Sequence, residues 1–303
     1  MLKGLIRRVT AALGLAALAS CTTPAATATA TASKQVGPAM WMVSDPDTTI
    51  YLFGTIHLLP RDSAWRTPQF NTAVQQSQTL VLETLVDTAN PQELASQMAA
   101  LGFRSGLPPI AQRVDPSRRA ALETAIGKTG IPRALFDRME TWAAAFTLLG
   151  VQFQTLGVEG EHGVEAVLRQ VFATAGKPVT QLETNREQLA FFDALPETAQ
   201  RQLLEGAIEQ PQQMRVKFDE MLRAWLTGDV ESIAATFNRD LQNSPALKDA
   251  LLTRRNWNWS QWIARRLATP GTVMVAVGAG HLAGDVSVQR YLESRGYKVT
   301  RVQ

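Results

Sequence analysis

Only three histidines occur in the 303-residue chain, and two of them sit in one repeated frame: Gly54-Thr55-Ile56-His57-Leu58 and Gly278-Ala279-Gly280-His281-Leu282. A neutral imidazole nitrogen can hold a metal, take a proton or pass one on. Glu83 and Glu183, each before a Thr, follow apolar runs of the same kind as those before the two frames. Nitrogen and carboxylate oxygen together suit Zn²⁺, Mn²⁺, Fe²⁺ or Co²⁺, and two His with one carboxylate leave positions open for water and substrate. Such an ion lowers the pKa of bound water, so that the second carboxylate can serve as general base. The bland alternative stands beside this one: a His after a Gly turn satisfied within the fold, and a strand-end Glu that caps a helix or pairs with a cation.

These four residues need strands to deliver them. Ile50–Phe53 and Val273–Val277 read as buried strands, as do Thr79–Glu83 and Pro178–Glu183. Gly54 and Gly278, at the ends of their strands, are the positions where a neighbouring backbone or a bound cofactor can come close. The carboxyl ends of strands are also where open α/β sheets place ligands. Asp45-Pro46-Asp47 between Trp41–Ser44 and Thr48–Phe53 marks a β-hairpin. Thr67-Pro68 opens a helix to about Gln78, Asn90-Pro91-Gln92-Glu93 a second, and Asp115-Pro116 a third. Met139–Leu149 and Glu165–Ala175 continue the helical pattern, and the end of the chain reads strand 272–278, helix 285–295, strand 298–302. The expectation is an α/β fold with a mixed β-sheet core and a large helical insertion over about 90–176 and 185–269.

Composition narrows the function classes. The formal charge of +3 is that of Lys3, Arg7 and Arg8; the remainder balances 27 basic against 27 acidic groups, so no electrostatic case exists for nucleic acid. Residues 1–20 form a basic n-region and a short apolar stretch, a targeting leader rather than a span. The single cysteine, Cys21, follows Leu18-Ala19-Ser20, a lipobox-like sequence at which a bacterial lipoprotein is acylated; a plain secretory leader is the alternative. With Cys21 acylated, no thiol is left for disulfides or catalysis. Residues 21–39 are an Ala/Thr-rich tether with too little apolar surface to order, and the fold starts near Met40. Thr22 rather than Asp points to the outer membrane, facing the periplasm.

Phe53-Gly54-Thr55-Ile56-His57, Leu82-Glu83, Gly176-Lys177-Pro178 through Leu182-Glu183-Thr184 with Gln188, Arg255-Asn256, and Val277-Gly278-Ala279-Gly280-His281-Leu282-Ala283-Gly284-Asp285 form an ordered set. Over about residues 40–303 it resembles the TraB/PrgY/GumN family, within a superfamily that includes the Tiki proteases, ChaN and the erythromycin esterases. The resemblance implies an α/β sheet core and, by way of the Tiki branch, a metal-dependent peptidase with His57 and His281 as metal ligands and Glu83 as the paired carboxylate. Glu183, Arg255 and Asn256 match family motifs without an assigned role. Arg255 suits an oxyanion, where Asn256 would join it, or a substrate carboxylate, or a buried ion pair with Glu83 or Glu183. One departure stands out: Gly157-Val158-Glu159 and Gly163-Val164-Glu165 replace a Gly-apolar-Asp pattern. There His162 and Glu165 have the spacing of one helical face, though a solvated loop His is the simpler reading. Trp257, Trp259 and Trp262 do not share a face, so a groove and the core both compete for them.

The expected function is a lipid-anchored hydrolase of the metallopeptidase type, with Mn, Co or Zn, acting on a peptide or another amide or ester. The rival is a non-catalytic binding protein that sequesters a peptide signal or, as with ChaN, haem. A third possibility is a scaffold for envelope polysaccharide machinery. No feature of the sequence bears on oligomeric state.

Overall fold

A computed structural model describes residues 36–85, 91–241 and 244–303. The leader, Cys21 and the tether up to residue 35 lie outside the described residues, as does Asn90, the cap assigned to the second helix.

Six strands form one mixed sheet: β1 (Met40–Ser44), β2 (Thr48–Thr55), β3 (Thr79–Leu82), β4 (Val179–Gln181), β5 (Gly271–Gly278) and β6 (Val299–Arg301), in the order β4-β3-β5-β2-β1-β6. Strands β4, β3, β5 and β2 run parallel, while β1 is antiparallel to both β2 and β6. Five strands therefore end at one rim, and β1 starts there. The β1–β2 turn is the expected hairpin: Asp45 Oδ1 accepts from the backbone N–H groups of Asp47 and Thr48, an Asx-type turn.

Alternate residues of the central strands feed two cores. Met274 and Ala276 of β5 join Phe53, Leu80, Leu82, Trp65, Phe70, Phe172 and Trp225 on one face. Val273, Val275 and Val277 join Ile50, Leu52, Val81, Trp259, Ile263 and Leu292 on the other. A strand apolar on both faces belongs in a sheet covered on both sides, which is why β5 reads as a continuous run. Helices Pro68–Gln76 and Val164–Thr174 cover the first face, and helices Arg254–Arg266 and Val288–Ser294 cover the second.

The helical insertion carries a separate core around Trp142, Leu122, Ile126, Phe136 and Leu204. Its buried cation, Arg113, donates to the carbonyls of Pro108, Asp137 and Met139 and so ties three loops together. The helix expected from Asp115-Pro116 begins as a 3-10 turn, Pro116–Arg118, and becomes α-helical over Arg119–Thr129.

Candidate functional site

The two Gly-x-x-His frames do not align in space. In the β2–β5 ladder Gly54 lies opposite Val277 and Thr55 opposite Gly278, a one-residue offset. After β5 the chain turns into the 3-10 segment Ala279–Leu282, which sinks His281 to 7% exposure. After β2 it runs into a loop, and the His57 side chain is 67% exposed. The frame glycines make room for protein atoms: a Cβ on Gly54 would lie 3.1 Å from the Ala279 Cα, and one on Gly278 3.1 Å from Glu83 Oε1.

Beneath His57 lies a buried polar cluster. Glu83, just past β3, accepts at Oε1 from the Gly278 amide (2.6 Å) and at Oε2 from Arg255 Nη2 (2.6 Å) and Gln188 Nε2 (3.2 Å). Glu183, two residues past β4, accepts from Arg255 Nε (3.0 Å) and from Trp259 Nε1 (2.9 Å), and its Oε2 lies 2.9 Å from Arg255 Nη2 as an ion pair. Arg255 Nη1 also donates to the Leu251 carbonyl (3.3 Å) and to His281 Nε2 (3.2 Å). All three guanidinium nitrogens thus donate inside the protein, and both carboxylates expected to compete for Arg255 share it. The Arg255 head also lies over the Trp259 ring at 4.7 Å.

One helix supplies this cation and its companions. In Arg254–Arg266 the buried residues are Arg255, Asn256, Trp259, Ser260 and Ile263, a stripe with helical periodicity. A π-helical turn, Asp249–Thr253, precedes it. Trp259 is on the stripe, its ring 4.4 Å from that of His281, whereas Trp257 stands outside at 47% exposure.

Hydrogen bonds fix the His281 tautomer from both sides. Asn256 Nδ2 donates to the Val286 carbonyl, so its Oδ1 must accept from His281 Nδ1–H at 2.6 Å. Arg255 can only donate, so His281 Nε2 presents a lone pair. Burial, reinforced by Arg255, pushes the His281 pKa down to about 3, and the ring is neutral. Burial also opposes the charged form of Glu83, but His281, protonated only in the acid range where Glu83 titrates, together with Arg255, His57 and the Gly278 amide outweighs it and holds the pKa at about 2. Burial raises the Glu183 pKa against the pull of Arg255.

At the mouth, His57 Nδ1 meets Glu165 Oε1 at 2.8 Å, and the same oxygen accepts from Thr55 Oγ1. Crowding disfavours the imidazolium, but Glu165 prevails and raises the His57 pKa to about 9. The loop is held by Gly163, where any Cβ would collide with the His57 carbonyl, and by the Val164 amide donating to Ile56 O. Sequence reasoning missed this role of Glu165. The signal was the Gly-Val-Glu triplet at a family motif position. The spacing of His162 and Glu165 does not produce a shared face: His162 ends a 3-10 turn before the helix starts and pairs with Glu159 at 3.2 Å.

The structure thus gathers Glu83, Glu183, Arg255, Asn256 and His281, and leaves His57 above them with Glu165. Among the described residues no three or more His, Cys, Asp or Glu side chains are grouped so as to hold an ion. The donors nevertheless fit one in two respects. Glu83 Oε1 and His281 Nε2 are 3.5 Å apart, close to the roughly 3.3 Å between two ligands of a tetrahedral ion with 2.0–2.1 Å bonds. With both carboxylates ionised the buried cluster also carries one negative charge more than Arg255 offsets, and Glu165 is balanced by protonated His57. A cation is what such a site lacks.

Residues 39–301 match the family model described as TraB/PrgY/gumN family. The chain is 26% identical over 255 residues to the uncharacterized protein YbaP of Escherichia coli (strain K12), covering 84% of this chain and 92% of that protein. It is likewise 26% identical over 242 residues to YbaP of Shigella flexneri, covering 80% and 87%. No solved structure matches the chain.

Proposed function

The chain belongs to the TraB/PrgY/gumN family, and from that premise we propose that it is a metal-dependent hydrolase acting on a peptide or another amide or ester. It is anchored through an acylated Cys21, at the outer membrane and facing the periplasm. The observation that carries the reading is the buried Glu83–His281 pair, at ligand spacing and one positive charge short. Glu83 and His281 would hold a divalent transition metal, Mn, Co or Zn, with His57 joining from the mouth. Such an ion polarises a carbonyl and brings the pKa of bound water towards neutrality.

The protein's own groups do the rest. Asn256 keeps the proton on His281 Nδ1 and leaves Nε2 a lone pair, which Arg255 Nη1 meets at 3.2 Å and would have to yield to an ion. Arg255, whose three nitrogens all donate within the cluster, positions both carboxylates rather than reaching a substrate oxyanion, and Trp259 fixes the second one. Glu183, raised by burial, suits a proton carrier that takes a proton from water and returns it to the leaving group. Glu165 aims His57, which would give up its proton to serve as a ligand.

The test is metal analysis of purified protein lacking the leader. About one divalent ion per chain is expected, and its retention by the His57→Ala/His281→Ala double variant would end the assignment. In a peptide-cleavage screen, Glu183→Gln should keep the ion but lose turnover by roughly 10²- to 10⁴-fold, the span of general acid–base catalysis.

A further inference from the structure

The loop that carries His57 continues into a pocket walled by cations. Past His57 the backbones of Leu59 and Glu159 bond in both directions, at 3.4 and 3.2 Å. The chain then turns at Pro60, whose carbonyl accepts from the Ser63 amide at 3.2 Å and from Ser63 Oγ at 2.8 Å. Thr67 ends the segment as the cap of helix Pro68–Gln76, its Oγ1 accepting from the Phe70 amide. A bridge at one end and a helix cap at the other hold Arg61 and Arg66 in place. Between this segment and the turn Gly160–His162 opens a cavity of about 320 Å³. Arg61, Arg66 and His162 are among its walls, with Trp65 and Val167 as apolar lining. The carboxylates nearest in sequence, Asp62, Glu159 and Glu161, do not line it.

Neither arginine is committed to a carboxylate of the protein. Among the described residues Arg61 makes no hydrogen bond or ion pair. Arg66 donates from Nε to the neutral Asn71 Oδ1 at 2.9 Å and lies 6.0 Å from the Phe70 ring centroid, which leaves its Nη groups without a partner among the described residues. His162 faces Glu159 at 3.2 Å and serves as wall rather than as charge. Two unspent guanidinium forks beside apolar surface select an anion, and their planar geometry matches a carboxylate. The pocket also adjoins the site. Pro60 comes three residues after His57, so it is at most about 11 Å away, the length of about three residues of an extended peptide. On the other wall, His162 stands three residues before Glu165, the partner of His57. We infer that this pocket is a specificity subsite that takes the carboxylate of an anionic peptide substrate, with Arg61 and Arg66 as the binding residues. That carboxylate is a C-terminus or an acidic side chain within about three residues of the bond to be cut. The inference rests on the hydrolase reading proposed above.

The test reads binding, so it does not depend on turnover. Titration calorimetry of the protein lacking its leader, in chelator so that no ion takes part, compares three probes. These are N-acetyl-tetra-alanine with a free C-terminal carboxylate, its C-terminal amide, and the same amide with one internal glutamate. At least one of the two anionic peptides should bind about ten-fold or more tightly than the neutral amide, as charge-assisted hydrogen bonds imply, and which of them does so identifies the source of the carboxylate. Added salt should weaken the preference. In Arg61→Gln/Arg66→Gln the preference should vanish; both positions are exposed, and an unchanged midpoint in urea verifies the fold of the variant. Equal affinity for all three probes, binding by none, or a preference that survives the double substitution overturns the inference. The hydrolase reading is decided separately. Cleavage without any charge preference keeps that reading and removes the subsite, whereas charge-dependent binding without cleavage keeps Arg61 and Arg66 as an anion site and ends the catalytic reading.

Discussion

Arg255→Met removes the one cation shared, among the described residues, by Glu83 and Glu183 while keeping an unbranched stem to pack on Trp259. Two carboxylates, each under one-tenth exposed, then face one another without their partner. Breaking a buried pair in this way costs about 3–5 kcal/mol. The cost must depend on pH, and the sign is fixed. In the parent, Glu83 is held at about 2, below its ordinary 4.5, so its contribution is complete above pH 4.5 and fades as pH falls towards 2. In the variant Glu183, which burial raises already, loses the pull of Arg255 and titrates higher still in the folded state, so the variant loses stability as pH rises through that window. Near pH 4.5 the difference between the two proteins should be about 1 kcal/mol, because proton uptake relieves the repulsion. It should widen by up to about 1.4 kcal/mol per pH unit per proton and level off at about 3–5 kcal/mol near pH 8. Urea unfolding of the leaderless proteins in chelator at pH 4.5, 6, 7 and 8, with unchanged m-values, measures this. Adding Glu183→Gln to the variant should recover about 1–3 kcal/mol at pH 8 and flatten the slope. A penalty that is flat with pH, or below about 1 kcal/mol at pH 8, would refute the charge accounting for the cluster.

Two further substitutions probe the supports. Trp259→Phe keeps a ring against His281 but removes the N–H to Glu183; a loss of about 1–3 kcal/mol is expected in urea unfolding, the cost of an unmet buried acceptor, with little change at pH 4.5. Gly163→Ala forces the helix start off the His57 carbonyl, so the leaderless protein should lose at least about 3 kcal/mol or bind metal markedly more weakly by titration calorimetry. A wild-type result in both measurements would mean that the loop adapts freely.

Much of the scaffold could be read from the chain because its signals are local. The hairpin is marked by Asp45-Pro46-Asp47, and the apolar runs of β2, β3 and β5 follow from burial on both faces. Glu83, Glu183 and both histidines stood out because each follows such a run. What escaped depends on which surfaces pack together. That Glu165 reaches His57, and that Gly163 must be glycine to permit it, follows from one helix start lying against a loop about a hundred residues earlier. The Trp259–Glu183 bond spans 76 residues and leaves no periodic trace. Arg255 was narrowed to an ion pair or a substrate contact, and only the side-chain geometry turns all three of its nitrogens inward. The spacing of His162 and Glu165 has no helical face to act on, because the chain still makes a 3-10 turn at His162, which agrees with the simpler loop reading.

The one-residue slip between the paired frames leaves two histidines with unequal obligations. His281 is a structural member of the core, and losing it would strand Asn256 and unsettle Arg255. His57 is supported from outside and supports little in return beyond Glu165. A descendant of this chain could therefore surrender the outer imidazole and keep a sound fold. Within such a lineage chemistry is easier to lose than architecture, and the residue at position 57 is where that loss would first be seen.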